Sequence, residues 1–284
     1  MNKLPLAKRC QIIAALVEGS SLRSTARMVG VSLNTVTKLL VDVGHACAAY
    51  QHVALRDLPC RRLQVDEIWS FCGMKQRNIP EGREGEIGIG DVWTFTAIDA
   101  ETKLVPCWLV GLRDADHAIH FVTDLASRLS NRVQLTTDGH RMYLSAVEEA
   151  FGGAVDYAML VKIYGRPPAD ESRYSPAECI GCEQHRIEGN PDPDHISTSF
   201  VERQNLTMRM RMRRFTRLTN AFSKKLANHE AAIALHFMHY NFVRRHLTLR
   251  MPPALKAGVT DHLWTIEEVV RRTDPRSLTN GGVF

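Results

Sequence analysis

Apolar residues recur at helical spacing through the first forty residues of the chain. The first helix is predicted over residues 6–18, and its apolar positions are Ile12, Ile13, Leu16 and Val17. A second helix is predicted over residues 22–28, and Gly30 follows it as a tight turn. Ser32 can cap a third helix, which buries Val36, Leu39 and Leu40. Small Ala26 allows two short helices to cross steeply, so this pattern predicts a helix-turn-helix.

The third predicted helix presents short polar and basic side chains on its outer face. Side chains of this kind reach base edges and phosphates from a recognition helix. The candidate DNA-binding residues here are Asn34, Thr35, Thr37 and Lys38. Residues 1–44 hold six basic residues against two acidic ones, which favours a polyanionic partner over the alternative of an ordinary three-helix bundle.

Patterns in the middle of the chain change from helical to strand spacing. Strands are predicted over residues 63–71, 92–98, 104–110, 132–137 and 157–161, with helices over 116–129 and 140–151. Three strands followed by helix, strand, helix and strand is the order of a ribonuclease-H-like fold, which is α/β with a mixed sheet. We therefore expect a helix-turn-helix domain (1–45), a linker (46–62), a catalytic domain (63–250) and a C-terminal extension (251–284).

Two aspartates fall where this fold brings strands together. Asp66 lies inside the first strand and Asp138 ends the fourth, and these two strands are neighbours in the expected sheet. Carboxylates held that close repel each other unless a cation lies between them. The pair therefore predicts bound Mg²⁺ or Mn²⁺, with two ions expected. Glu67 points to the opposite face from Asp66 on a strand, so at most one of them is expected in a given site.

A third acid is expected from a helix predicted over residues 199–217. Glu202 lies there, with Asn205 and Arg209 on the same helical face. A carboxylate beside an amide and a guanidinium suits a metal next to a phosphate. The preceding segment, residues 165–198, is rich in proline, glycine and charge and is predicted to be an inserted loop, which leaves open Glu171, Glu178, Glu183 and Glu188.

Several short blocks of sequence together carry a family resemblance. They are Asp66-Glu67-Ile68-Trp69, the segment TDGHRMY at 137–143, the segment VERQNLTMR at 201–209, and Phe222-Ser223-Lys224. Over about residues 63–245, the chain resembles the insertion-sequence-one family of transposases, a branch of the Asp-Asp-Glu transposases and integrases. The resemblance implies a bacterial enzyme that cleaves DNA and transfers strands. It also implies metal ligation by Asp66, Asp138 and Glu202, with Asn205 and Arg209 near the phosphates.

Two features depart from this family pattern. The 63 residues between Asp138 and Glu202 exceed the spacing of compact members. The cysteine-rich zinc module that precedes the helix-turn-helix in some members is missing here. Cys179 and Cys182 could bind zinc only with His185 or His195, and because no second cysteine pair is present, zinc is not expected.

The second half of the chain contains a strongly basic stretch. Residues 203–225 hold eight basic residues and no acidic one, although the whole chain has a net charge of only +5. We expect phosphate contacts from Asn205, Arg209, Arg213, Arg214, Arg217, Lys224 and Lys225. The expected partner is double-stranded DNA, namely the terminal repeats of the element and its target, bound by a homo-oligomer.

The remaining patterns concern location and the chain's end. Seven scattered cysteines, the lack of a long apolar run and the lack of a signal-peptide pattern predict a cytoplasmic, nucleoid-associated protein without membrane contact. Helices are predicted over 228–247 and 263–272, and disorder over 273–284. Two other functions stay open at this point: a non-catalytic DNA-binding regulator, and a ribonuclease-H-like nuclease that cleaves without joining.

Overall fold

The computed structural model describes residues 3–165, 178–216 and 220–274. The helices are α1 (Leu6–Val17), α2 (Leu22–Val29), α3 (Leu33–Ala54), α4 (Ala115–Ala126), α5 (Met142–Phe151), α6 (Ser199–Arg211), α7 (Leu226–Met238), α8 (Pro253–Lys256) and α9 (Ile266–Arg271). The strands are β1 (Arg62–Cys72), β2 (Gly90–Asp99), β3 (Trp108–Gly111), β4 (Val133–Asp138), β5 (Val155–Tyr164) and β6 (Cys179–Glu188). Short 3₁₀ turns cover Gln76–Asn78, Pro193–His195 and Arg213–Phe215, and a π-helical turn covers His239–Val243.

All six strands form one mixed sheet in the order β3-β2-β1-β4-β5-β6. The first three strands are antiparallel neighbours, whereas β4 runs parallel to both β1 and β5. The predicted fold class is confirmed, because this is a ribonuclease-H-like sheet with the first and fourth strands side by side. Strand β6 pairs antiparallel with β5 at the edge and lies within residues 165–198, where a loop without strands was predicted.

Each face of the sheet is covered by a pair of helices. On one face, Phe121 of α4 packs on Phe95 of β2 with ring centroids 5.6 Å apart. On the other face, α6 and α7 bury a separate apolar cluster that includes Met208, Phe237 and Ile68 of β1. Because adjacent residues of a strand point to opposite faces, β1 contributes to both layers.

The N-terminal helices continue into the body of the protein through α3. Gly30 adopts the left-handed conformation (φ 69°) between α2 and α3, and the Ser32 hydroxyl caps α3 by accepting from the Thr35 amide at 3.1 Å. Helix α3 then runs to Ala54, so the segment from residue 46 onward begins as helix and not as the linker that we expected. The reason is burial, since Gln51 of α3 donates to the carbonyl oxygen of Ala234 in α7 at 3.1 Å.

Other predicted elements are shorter than expected. The third strand begins at Trp108 instead of residue 104, because the side chain of Asn241 bonds both the amide (3.0 Å) and the carbonyl (2.9 Å) of Val105. The basic helix ends at Arg211, since Met212 has extended backbone angles. The long helix predicted over 228–247 is α7 followed by the π-helical turn.

The C-terminal end packs against the start of the chain. Arg9, which is buried, forms an ion pair with Asp274 at 3.0 Å and so ties the end of the described chain to α1. Most of the predicted disordered tail, residues 275–284, lies outside the described residues. A search of the described helices finds none with the length and apolar character needed to cross a membrane.

The contact between α3 and α7 predicts a sensitive position at Gly44. A Cβ atom there would lie 2.6 Å from the Cα of Ala231, and backbone atoms cannot move aside easily. We expect Gly44→Ala to lower the free energy of unfolding by about 1–3 kcal/mol, measured by urea denaturation. Gly181→Ala is the control, since its Cβ would meet only Ile163 at 3.8 Å. Equal stability of the two variants would contradict this packing.

Candidate active site

The candidate site lies where two neighbouring strands separate. Strand β1 pairs with β4 only over its first three residues, so that Gln64 opposite Thr136 is the last pair. On its other side β1 stays paired with β2 as far as Cys72. Beyond Gln64, the edge of β1 that faces β4 is therefore open. Asp66 and Glu67 lie just past this fork.

Three carboxylates meet at the fork. One oxygen from each of Asp66, Glu67 and Asp138 lies within 4.8 Å of the others. The expectation that only one of Asp66 and Glu67 would belong to the site was wrong. Strand alternation does send their side chains to opposite faces, but the gap beside β1 is open to both faces, and the end of β4 places Asp138 within reach of each.

The Asp66 carboxylate is half-buried and held by two donors. One oxygen accepts from the Glu67 amide at 2.8 Å, and the other accepts from Nδ2 of Asn205 on α6, also at 2.8 Å. Burial, followed by the charges of Glu67, Asp138 and Glu202, raises the pKa of Asp66 from 3.8 to about 7. At neutral pH this carboxyl group therefore binds a proton readily unless a cation replaces it.

Glu67 has its own binding partners on the opposite face. It accepts from the Tyr143 hydroxyl at 2.7 Å and from Arg113 at 2.5 Å, and its side chain is almost fully buried. Arg113 also lies 3.9 Å from Asp138 and stacks over the ring of Trp93, 4.6 Å from its centroid. Burial and the charge of Asp138 raise the pKa of Glu67 in spite of these donors.

Glu202, the expected third ligand, lies next to this group but not in it. Its carboxylate accepts from the Thr198 hydroxyl at 2.5 Å and forms an ion pair with Lys162 of β5. Its charge makes the smallest of the contributions that raise the pKa of Asp66. Whether Glu202 binds a metal stays a prediction.

The other acids that were left open lie on or beside β6. Glu178, Glu183 and Glu188 are exposed there and do not belong to the carboxylate group, while Glu171 lies outside the described residues. Cys179 and Cys182 are exposed free thiols on the same strand.

A divalent cation fits this donor set. Carboxylate oxygens are the ligands that Mg²⁺ and Mn²⁺ prefer, and three of them converge from rigid strands. Arg113 supplies a single positive charge beside Glu67 and Asp138, so negative charge remains at the fork. Repulsion of this kind is relieved when a cation binds.

The predicted DNA-contacting side chains of α3 differ in their availability. Asn34 is exposed at the start of the helix. The Thr35 and Thr37 hydroxyls bond locally, to the Ser32 hydroxyl at 2.8 Å and to the Leu33 carbonyl at 2.9 Å. Lys38 forms an exposed ion pair with Asp42. Their contacts with DNA remain predictions.

The basic residues at the end of α6 and after it separate into two environments. Arg213, Lys224 and Lys225 are exposed, whereas Arg209 is half-buried. Arg214 turns inward and donates to the Ser223 hydroxyl at 2.9 Å and to the Asn228 carbonyl at 2.7 Å. Burial lowers the pKa of Arg214 to about 10. Arg217 lies outside the described residues.

Several residues of this site were missed from the sequence. Glu67 was excluded because adjacent residues of a strand point to opposite faces. Lys162 and Arg113 lie outside the sequence blocks that contain the acidic residues. Tyr143 does fall within the block that begins at Thr137, and its position after Asp138 was the one available signal. Distant partners of this kind become visible only when strand pairing is known.

Comparisons with known proteins find similarity at the level of structure only. No family model and no curated protein matches the chain. A simian T-cell lymphotropic virus intasome, in complex with a PP2A regulatory subunit, matches with a TM-score of 0.40, 12% identity and coverage of 84% of this chain and 70% of that one. The Mos1 strand transfer complex matches with a TM-score of 0.34 and 11% identity, and the match covers 100% of this chain and 81% of that one. A piggyBac transposase synaptic complex with hairpin DNA matches with a TM-score of 0.39 and 11% identity, and the match covers 98% of this chain and 73% of that one. Similarity this low does not extend to function, and the fold assignment rests on the strand order given above.

The raised pKa of Asp66 predicts how stability depends on pH. The folded protein favours the protonated form of Asp66. The contribution of this carboxyl group to the free energy of unfolding is therefore fully present below about pH 4 and is lost as the pH rises through 7. In metal-free buffer, the free energy of unfolding of Asp66→Asn, taken relative to that of the natural chain, should therefore rise by on the order of 2–4 kcal/mol when the pH is raised from about 4 to about 8. Urea denaturation at both pH values measures this.

Asp116→Asn is the control for this change, because Asp116 is an exposed carboxylate in the first turn of α4. Its pH profile should follow that of the natural chain. A constant difference between Asp66→Asn and the natural chain at all pH values would show that Asp66 is not electrostatically strained.

Proposed function

We propose that this protein is an Asp-Asp-Glu transposase of a bacterial insertion sequence. It binds the ends of its own element and catalyses cleavage of a DNA strand, followed by transfer of the new 3′ hydroxyl to target DNA. The resemblance of the sequence blocks to the insertion-sequence-one family supports the finer assignment.

The observation that carries this proposal is the meeting of Asp66, Glu67 and Asp138 at the β1–β4 fork of a ribonuclease-H-like sheet. Carboxylates held this close, one of them buried and the other two half-buried, are costly in a protein without a bound cation. Ordinary stabilising contacts do not require such an arrangement, whereas phosphoryl transfer with divalent metal does. Mg²⁺ or Mn²⁺ bound there would supply Lewis-acid stabilisation of the oxygens that attack and leave the phosphorus.

The chain's own residues position this chemistry. Asn205 donates to Asp66 and thereby fixes the orientation of that carboxylate relative to Asp138. Arg113 and Tyr143 hold Glu67, and Arg113 offers its remaining donors near Asp138, where a phosphate oxygen would approach. Glu202, released from its ion pair with Lys162, would supply the third ligand of the family pattern. Helix α7 and the π-helical turn that follows it pack against Ile68, and this buried layer keeps β1 rigid.

DNA recognition is divided between two surfaces in this proposal. The start of α3, with exposed Asn34, contacts base edges of the terminal repeats. The exposed cations Arg213, Lys224 and Lys225 contact phosphates without sequence preference. Two DNA ends held by two or more copies of the chain would form the active assembly.

Incubating the protein and Mn²⁺ with DNA from the ends of the element that flanks its coding sequence tests the proposal. We expect cleaved 3′ ends and joined products, and Asp66→Asn or Asp138→Asn should lower both by roughly a thousandfold or more while DNA binding survives. Glu202→Gln should be as damaging, whereas Glu67→Gln should be milder because Glu67 is already bound by Arg113 and Tyr143.

Glu183→Gln is the matched control, since Glu183 is exposed on β6 away from the carboxylate group. Cleavage without joining would indicate a nuclease instead. Sequence-specific binding without any metal-dependent cleavage would indicate a regulator. Full activity of Asp66→Asn would contradict the proposed centre.

The two environments of the basic segment predict opposite effects for neighbouring arginines. Arg213→Ala should reduce the slope of log affinity against log salt by about 0.9, with unchanged stability, because an exposed cation loses one phosphate contact. Arg214→Ala should mainly lower the free energy of unfolding, by about 1–3 kcal/mol, because two partly buried acceptors lose their donor. DNA titrations at several salt concentrations and urea denaturation separate the two effects. The reverse pattern would contradict these assignments.

A further inference from the structure

A cavity opens beside the far end of β1, beyond the carboxylates. Its volume is about 480 Å³, and it lies against Trp69, Ser70 and Phe71 near the end of the strand. The segment at Ser223 closes this edge at Cys72, where the Gly73 amide donates to the Ser223 carbonyl at 2.8 Å. Trp69 follows Asp66 by three residues, which is about 10 Å along a strand.

Three aromatic rings form one wall of this cavity. The centroids of Trp69 and Phe71 are 5.7 Å apart, and those of Phe71 and Phe222 are 4.8 Å apart in a stacked arrangement. All three side chains are only half-buried. They also belong to neither hydrophobic core cluster of the described chain, so packing of the interior does not account for them.

Positive charge surrounds the aromatic wall. The Lys75 ammonium lies 5.8 Å from the centroid of Phe71, Arg77 is exposed beside it, and Arg214 lies at the inner side. The residues that line the cavity include no acid. Within the described ranges, neither Lys75 nor Arg77 takes part in an ion pair. Such a surface favours an anionic ligand that carries a flat apolar group.

We infer that this cavity, the aromatic cavity, binds one unpaired nucleobase of the DNA strand that lies in the active site. The inference rests on the proposed function and adds a binding site to it. Aromatic rings stack on the base, and Lys75 and Arg77 hold the adjoining phosphates. Asn78 and Asn220, which also line the cavity, offer amide groups to the edge of the base. The volume suffices for a group of that size.

The aromatic cavity and the carboxylates lie along the same strand, β1, so one DNA strand can contact both. A base taken out of the duplex a few nucleotides from the scissile phosphate relaxes the DNA beside the carboxylates. Removing the base from its neighbours in the duplex costs free energy, and stacking of that base on the aromatic side chains offsets this cost. A fully paired duplex obtains no such stacking.

The test compares three metal-free DNA duplexes of one sequence. One is fully paired, one carries a single unpaired 2-aminopurine, and one carries an abasic position instead. We expect the natural chain to bind the duplex with the unpaired base roughly tenfold more tightly than the other two and to change its fluorescence on binding. Phe222→Leu should remove this preference, because it retains apolar volume without a ring, and Phe222→Tyr should restore it.

Phe200→Leu is the matched control. Phe200 is an exposed aromatic residue that also has a lysine, Lys103, over its ring, but it lies outside the aromatic cavity. Equal, salt-dependent affinity for all three duplexes would overturn the aromatic cavity while leaving DNA binding intact. Equal loss of preference in Phe200→Leu and Phe222→Leu would also overturn it. Failure to bind any DNA would instead count against the proposed function.

Discussion

Repulsion among carboxylates at the β1–β4 fork is the constraint on which the rest of this structure depends. Asp66, Glu67 and Asp138 bring up to three negative charges within 4.8 Å, where Glu67 is buried and the two aspartates are half-buried. A protein gains nothing in stability from such a group: burial first, and then the neighbouring carboxylate charges, raise the pKa values of Asp66 and Glu67. The surrounding structure therefore has to hold the carboxylates together against their own repulsion.

Both helical layers contribute to this restraint. From one face, α6 brings Asn205 to Asp66, and from the other, α5 brings Tyr143 to Glu67. Helix α7 supports the α6 side and is itself packed against α3, so the N-terminal helices and the carboxylates share one continuous framework.

Much of the fold followed from the sequence because periodicity and strand order are local signals. The order of elements placed Asp66 and Asp138 together, and Asn205 was expected on the correct face of its helix. The role of Glu67 could not be predicted, since it depends on where the pairing of β1 with β4 stops. The length of α3 depends in the same way on a distant partner, the backbone of α7, and the short third strand depends on Asn241.

The arginines after α6 show a second limit of sequence patterns. Eight basic residues without an acid predicted that Arg214 contacts phosphate, yet a single extended residue, Met212, ends the helix, and Arg214 turns inward. Composition reports the charge of a segment but not the direction of its side chains. The aromatic cavity was not predicted either, because its lining comes from two segments that are far apart in sequence.

The central claim is that these carboxylates exist to hold a divalent cation. Anomalous X-ray diffraction from crystals soaked in Mn²⁺ tests it most directly. We expect an anomalous peak between Asp66 and Asp138, with Glu202 or Glu67 turned toward it, and we expect Asp66→Asn to abolish that peak. A clear Mn²⁺ peak elsewhere and none at the fork, in crystals that diffract well and retain the same strand pairing, would contradict it.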